Sequence, residues 1–201
     1  MTSPARPAPV TRDRAGILRA AAAAVTGRPL TAVTYRMLDG ADWPRYHARG
    51  RLDEVDMAVL LDFPGGVRLA VSWAMEGFTQ GLGLLAGPPE ELPPRPGQEA
   101  DYQADGTGPW AGLLGRVLTD IQAAWLPGDW QADEAVWALR LTFADGEQPV
   151  IALGEAEDGA PQYQPDNLVV FFDPDAADSY RAECESADTA SPWEPARPDP
   201  G

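Results

Sequence analysis

The side chains best suited to catalysis are few and far apart in this sequence. His47 is the single histidine and Cys184 the single cysteine among 201 residues. A hydrolytic site needs a hydroxyl or thiol beside a base that a third group orients. His47 with Ser72 or Cys184 would supply such a pair in principle, but no nucleophile-elbow motif surrounds either nucleophile. We therefore predict no catalytic residue, and an enzyme stays an open alternative.

Metal ions and phosphate groups have no recognisable motif here. His47 has no second histidine and no cysteine close in sequence, so the partners of a zinc site are missing. Asp173, Asp175 and Asp178 are closely spaced, but the glycine and terminal glutamate of a calcium loop do not follow them. Neither GxxxxGKS/T nor GxGxxG occurs. The sequence predicts no metal and no cofactor.

The segment at residues 40–53 combines aromatic and basic side chains. Such groups can stack on an anionic ligand and pair with its charge. They can equally cover the core with their rings while the arginines neutralise nearby carboxylates. Both interpretations stay open. The candidate ligand loop spans residues 43–51 and contains Trp43, Arg45, Tyr46, His47 and Arg49.

Negative charge is concentrated in the last third of the chain. The formal net charge is −16. Residues 1–128 carry 12 arginines and 14 carboxylates, whereas residues 129–201 carry 3 arginines and 17 carboxylates. A field of this sign repels nucleic acids and acidic membranes and attracts a basic protein. The polar loop at residues 154–166 supplies the predicted contact surface, which comprises Glu155, Glu157, Asp158 and Asp166.

The charge, the size and the lack of catalytic motifs favour a non-catalytic binding domain for a basic protein partner. An immunity-type role, in which the domain neutralises a toxin, fits these features by physical analogy. Three alternatives stay open: acidity that only serves solubility, a small enzyme or anionic-ligand binder that uses residues 43–51, and an acidic mimic of nucleic acid. The sequence does not indicate an oligomeric state.

Two β-hairpins are expected to position these residues. Large apolar residues alternate with smaller or polar ones from Trp137 to Phe143, which is typical of a strand with one buried face. A three-residue loop at residues 144–146 would pair Leu139 with Ile151 and keep the apolar groups on one face. A two-residue Asp-Gly turn would shift the register by one and turn the returning strand over. The longer loop is therefore predicted.

Further strands complete the predicted sheets. Pro149 cannot donate to a ladder, so its strand should be an edge or be locally broken. Residues 168–172 are apolar throughout and should be buried on both faces. Residues 55–63 and 67–75 form an earlier hairpin around the loop at residues 64–66. The match between the two loops indicates either a duplication or a common way to build a hairpin.

Three helices are expected to cover the sheets. The first runs from about residue 11 to residue 26. The second runs from Thr107 to Trp125, where apolar residues recur at helical spacing after a proline in the first turn. A short third helix begins at Asp173, with Pro174 at its first position and an inner face that includes Cys184.

The predicted fold is an α+β domain whose antiparallel β-hairpins form one or two sheets packed against two main helices and a short C-terminal helix. The domain spans residues 11–184. It forms either one unit or two similar halves, at residues 11–87 and 107–184, with a Pro-rich linker at residues 88–106.

The two ends, residues 1–10 and 185–201, are rich in polar residues and proline and are predicted to be disordered. No apolar run approaches the ~20 residues of a membrane span. The first residues lack the apolar core of a secretory signal, and one cysteine excludes an internal disulfide. We expect a cytoplasmic protein.

Overall fold

Antiparallel strands make up most of this mixed α and β structure. The computed structural model describes residues 7–38, 52–89, 99–106, 108–126, 133–157, 160–184 and 193–196. The strands are β1 (Ala32–Leu38), β2 (Leu52–Val55), β3 (Ala58–Phe63), β4 (Val67–Glu76), β5 (Thr79–Gly87), β6 (Glu99–Gln103), β7 (Leu118–Leu126), β8 (Ala135–Phe143), β9 (Val150–Leu153), β10 (Glu155–Glu157), β11 (Ala160–Gln162), β12 (Leu168–Phe171) and β13 (Glu194–Pro195). The helices are α1 (Ala15–Val25), α2 (Pro109–Leu113) and α3 (Pro174–Cys184), and a 3₁₀ turn over Arg12–Arg14 precedes α1.

In the described part of the chain the strands form two larger sheets and one small ribbon. The first sheet has the strand order β5-β4-β3-β1-β6, and the second has the order β13-β7-β8-β9-β12-β2. The ribbon consists of β10 and β11. Apolar side chains from both sheets meet in one continuous core, and β5 of the first sheet lies against β8 of the second.

Both predicted hairpin loops and their registers are confirmed. Leu139 pairs with Ile151 across β8 and β9. Gly146 closes that loop with a φ of 91°, a conformation that side chains with a Cβ rarely adopt. In the earlier hairpin Phe63 pairs with Val67 across β3 and β4. Alternation of apolar residues therefore fixed the faces of these strands correctly.

The neighbourhood of Pro149 resolves the alternatives left open for its strand. β9 lies between β8 and β12, so it is an interior strand and the edge alternative is wrong. The strand is instead shortened, because β9 begins at Val150. Pro149 still accepts a hydrogen bond through its carbonyl, from the Leu141 N–H at 2.9 Å. β12 is buried along its whole length between β9 and β2, as predicted.

The earlier hairpin is shorter than predicted because its first residues belong to the second sheet. β2 pairs with β12, whereas β3 begins at Ala58 in the first sheet. Asp56 and Met57 make the crossing, and the Met57 N–H donates to the Arg36 carbonyl at 3.1 Å. Apolar alternation runs through this crossing without interruption. The pattern alone therefore could not show that the strand changes sheets.

The predicted second main helix is wrong. Of the described residues in this stretch only Pro109–Leu113 are helical, and β7 begins at Leu118. Gly115 ends the helical turn with a φ of 77°, outside the right-handed helical region. From Leu118 to Trp125 the buried residues fit a strand with irregular register against β8. Pairing satisfies the backbone groups of β8 on that side, which a helix lying across the sheet would leave open.

The first and third predicted helices are confirmed. α1 ends before Gly27, whose φ of 84° suits a C-terminal cap. α3 begins at Pro174, and the Asp175 N–H donates to the Asp173 side chain at 3.1 Å. The inner face of α3 buries Ala177 and Tyr180 against the second sheet. The side chain of Cys184 lies outside the described residues.

Two stretches outside the predicted domain halves, one in the linker and one in the C-terminal tail, contribute strands. β6 lies in the predicted linker and pairs with β1 at the edge of the first sheet. β13 lies in the predicted C-terminal tail and pairs with β7. Arg140 stacks on the ring of Trp193 at 4.3 Å, and Ala196 is buried in the core. These contacts tie residues 193–196 to the second sheet.

The described N-terminal residues join the two sheets. Pro9 bridges Gly83 of β5, and Thr11 bridges Ala135 of β8. Between them Val10 is fully buried. None of the helices that the structure describes has the length and apolar character needed to span a membrane.

Candidate functional site

Three carboxylate residues from separate elements lie near the end of the second sheet at which β12 begins. Glu54 lies on β2, Asp56 lies in the crossing to β3, and Glu155 begins β10. The Ala156 N–H donates to Glu54 Oε2 at 3.0 Å, and Asn167 Nδ2 donates to Glu54 Oε1 at 3.3 Å. Burial raises the pKa of Glu54, and the charges of Asp56 and Glu155 raise it further against the opposing effect of the Ala156 hydrogen bond. The ionised form of Glu54 is therefore disfavoured, mainly by burial.

The strand order explains why these residues meet. β2 pairs with β12, which carries Asp166 and Asn167 just before its first residue. β12 also pairs with β9, and the chain passes from β9 through Gly154 directly into Glu155. We use the name acidic end for the four carboxylate residues Glu54, Asp56, Glu155 and Asp166.

Six arginines in the described part of the chain form ion pairs, and all of these pairs involve carboxylates outside the acidic end. The ion pairs are Arg12 with Glu134 and Glu194, Arg14 with Glu76, Arg36 with Asp101, Arg68 with Asp62, Arg116 with Asp145, and Arg140 with Asp178. No described arginine lies within 4 Å of a carboxylate at the acidic end. Among the described residues this end therefore carries negative charge that no cation balances at contact distance.

The structure places the predicted acidic contact residues only in part. Glu155 is half-buried and accepts a hydrogen bond from Gln164 Nε2 at 3.3 Å, and Asp166 is exposed in the turn before β12. The backbone of Glu157 belongs to β10. The Glu157 side chain and the whole of Asp158 lie outside the described residues. The contact role of all four residues remains a prediction.

The candidate ligand loop cannot be located. Trp43, Arg45, Tyr46, His47 and Arg49 all lie outside the described residues, so the structure neither brings them together nor separates them.

Asp53, Glu54 and Asp56 lie close together in the sequence, but the structure gives them different surroundings. Glu54 and Asp56 join the acidic end. Asp53 is buried at the junction of the two sheets, where the Tyr35 hydroxyl donates to Asp53 Oδ2 at 2.8 Å. The local run of acids gave no sign of this, since it depends on β2 leaving the earlier hairpin.

Asp53 belongs to a buried polar chain. Trp110 Nε1 donates to the Tyr35 hydroxyl, which in turn donates to Asp53. Tyr35 and Trp110 are both almost fully buried, and burial followed by the charge of Asp53 raises the pKa of Tyr35 well above its ordinary value. The tyrosine therefore stays protonated and acts as a donor. This chain satisfies polar groups between the sheets and links β1, β2 and α2.

An open pocket of about 330 Å³ lies at the opposite end of the second sheet. Leu113 and Phe172 provide apolar surface, and Arg116 pairs with Asp145 at 3.2 Å on its wall. Glu147 is a further lining residue. No three His, Cys, Asp or Glu side chains among the described residues are placed to hold a metal ion.

Comparisons with known proteins give no relative to guide the assignment. No protein-family model matches the chain, and neither a curated protein nor a solved structure matches it. The described residues define a class in physical terms only: a mixed α and β protein with two antiparallel sheets, a shared core and one acidic end. Function therefore has to be inferred from the geometry of that end.

Proposed function

We propose that this chain is a non-catalytic binding domain whose acidic end engages a basic protein. The observation that supports the proposal is the position of Glu54, which is held beside Asp56 and Glu155 with no described arginine in contact. Burial, followed by the charges of Asp56 and Glu155, disfavours the ionised state of Glu54, and a cation supplied from outside would stabilise that state. A lysine or arginine side chain of a partner is such a cation.

The net charge supports a partner of the opposite sign. A protein of formal charge −16 attracts basic proteins over distances longer than any single contact and thereby raises their association rate. We favour a toxin-neutralising, immunity-type role as the specific form of this function. Fast encounter and a contact surface without catalytic groups are the properties that such a role requires.

Neutralising the acidic end should weaken binding more than neutralising other carboxylates. The test variant is Glu54→Gln/Glu155→Gln, and the matched control is Asp120→Asn/Glu147→Gln, which changes the net charge equally near the other end of the second sheet. We expect the test variant to lose about tenfold in affinity for the captured basic partner, mostly in the association rate. The control should lose much less.

The measurement begins with capture from host lysate at low and moderate salt, followed by titration of the purified partner. Screening predicts weaker binding at moderate salt. A partner that is not basic, equal losses in the two double variants, or affinity that salt does not change would each contradict the proposal.

Acidification should weaken the same complex. The pKa of Glu54 lies above its ordinary value of 4.5, so Glu54 takes up a proton at a higher pH than an isolated glutamate when the pH is lowered from neutral. Protonated Glu54 no longer attracts a cation. Affinity should therefore fall on acidification, and less steeply in Glu54→Gln. Calorimetric titration over a pH series measures this, and parallel profiles for the wild type and Glu54→Gln would contradict the assignment.

A second candidate function uses the loop at residues 43–51 as a binding site for an anionic ligand or as part of a small enzyme. The observation that favours it is the buried contact of Asp53 with Tyr35. Asp53 follows the loop by two residues, so this contact anchors the chain between the two sheets directly after the loop. Inorganic phosphate and sulfate serve as probes in calorimetric titration. Binding that Arg45→Ala and His47→Ala leave unchanged would remove this candidate.

A further inference from the structure

The tip of the β4–β5 hairpin carries the most exposed large apolar side chain among the described residues. Phe78 is 86% exposed and Met75 is 60% exposed. The hairpin is regular up to its end, since Glu76 pairs with Thr79 around a two-residue turn in which Gly77 has a φ of 61°. The two apolar groups are therefore presented to solvent on a rigid support.

Neither apolar group is needed for the fold. Gly77 supplies the backbone conformation that the turn requires, and the main apolar core does not include Phe78 or Met75. A single exposed apolar residue needs no explanation. Two of them at one hairpin tip, an aromatic residue and a methionine, are of the types enriched in the buried cores of protein interfaces.

Carboxylates surround this tip on the side of the N-terminal turn. Arg14 pairs with Glu76, which directly precedes Gly77, and the charges of Asp13 and Asp133 also act on Arg14. The Thr79 hydroxyl donates to Asp133 Oδ2 at 3.2 Å, so Asp133 lies beside the residue that follows Phe78. One arginine thus faces three carboxylates around the hairpin tip.

The acidic end adjoins the same hairpin on another side. Trp73 Nε1 donates to the Asp56 carbonyl at 2.9 Å, and Trp73 precedes Met75 by two residues on β4. The chain therefore holds Asp56 of the acidic end beside the strand that leads to the tip. Asp56 and the apolar tip therefore lie toward the same end of β4.

We propose that Phe78 and Met75 are the apolar anchor of the binding surface and insert into an apolar pocket that arginine or lysine residues of the partner surround. This inference rests on the proposed function and specifies the partner surface. Charge complementarity selects that occupant, because the carboxylates around the tip attract a basic rim. It also disfavours a second copy of this chain, whose net charge of −16 would repel the first.

Site-specific photo-crosslinking tests the proposal in the full chain. A benzophenone amino acid replaces Phe78 in one preparation and Leu114 in the control preparation. Leu114 is 37% exposed and directly follows α2. It lies near Leu30, just before the start of β1, whereas the hairpin tip lies toward the other end of the first sheet, where β1 ends at Leu38. After irradiation in the host cell, mass spectrometry identifies the linked peptides. We expect position 78, and not position 114, to link a basic protein at an apolar site flanked by arginine or lysine.

Affinity for that purified partner then separates the apolar anchor from the charges. Phe78→Ala should lose about tenfold or more, Met75→Ala should lose less, and Leu114→Ala should bind as the wild type does. If Glu54→Gln/Glu155→Gln weakens binding while Phe78→Ala does not, the anchor is refuted and the proposed function stands. Links to a second copy, to an acidic protein, or to no protein at position 78 refute the anchor directly. A partner indifferent to both variants refutes both proposals.

Discussion

Replacing Trp137 by alanine should lower the free energy of unfolding by about 3–5 kcal/mol. Trp137 on β8 is fully buried. Its ring meets Tyr163 at a centroid distance of 6.5 Å and Tyr180 at 5.7 Å, so truncation removes two aromatic contacts together with the buried area. The two tyrosines belong to different parts of the chain. Because the interior is closely packed, neither ring can fill the cavity that the alanine leaves unless its backbone also moves. Urea unfolding followed by circular dichroism measures the loss.

The matched control for Trp137→Ala is Phe78→Ala. It also removes an aromatic ring, but one that is 86% exposed, and it should change the free energy of unfolding by no more than about 0.5 kcal/mol. Trp137→Phe should fall between the two because it retains an aromatic body in the cavity. Equal stabilities of the two alanine variants would contradict the buried position of Trp137.

The hairpins were predictable because the two-residue alternation of apolar side chains determines both which face of a strand is buried and how the two strands pair. A shift of one residue would have turned Ile151 away from the core, so the three-residue loop closed by Gly146 was the only choice consistent with the apolar pattern. The start of α3 was equally clear, because Asp173 and Pro174 carry a capping signal that does not depend on the rest of the fold.

The second predicted helix failed because a short apolar run fits two periods. Between Leu118 and Trp125 the large residues match helical spacing as well as an irregular strand. Two features outside this run favour the strand. Gly115 has a positive φ, and β8 needs a pairing partner on the side that β7 occupies. A glycine within an apolar pattern of helical spacing therefore argues against a long helix, even where the pattern is long and amphipathic.

The acidic end could be predicted only by half. Glu155 and Asp166 stood out by composition, whereas Glu54 and Asp56 lie at the start of what looked like one long strand. Their role appears once β2 pairs with β12 instead of continuing into β3. Contacts between residues about 100 positions apart, such as Glu54 with Ala156, are decided by sheet topology, and no local pattern encodes them.

The second large prediction concerns Gly154, the residue that turns the chain from β9 into β10. Gly154 has a φ of 155°, which residues with a side chain rarely adopt. A Cβ at this position would clash with the Tyr180 hydroxyl and would lie 2.9 Å from the Gln162 carbonyl oxygen and 3.1 Å from Val169 Cγ2. Gly154→Ala should therefore lower the free energy of unfolding by about 2–4 kcal/mol through backbone strain and overpacking together.

Two further variants separate strain from overpacking at Gly154. Gly66→Ala is the matched control, since Gly66 has a φ of 70° but a Cβ there would meet nothing within 4 Å; it should cost about 1 kcal/mol from the backbone alone. Tyr180→Phe removes the clashing hydroxyl, which donates to the Leu153 carbonyl at 2.6 Å, and should cost about 1 kcal/mol in the wild type.

In the Gly154→Ala background, Tyr180→Phe should leave the free energy of unfolding unchanged or raise it, because it removes the hydroxyl with which the new methyl group clashes. The double-mutant cycle should therefore show a coupling of at least about 1 kcal/mol. The restoration should be incomplete, since the Gln162 carbonyl and Val169 still crowd the methyl group. Additive losses in the cycle would mean that Tyr180 does not pack on Gly154. The link that holds Glu155 beside Glu54 would then need a different explanation.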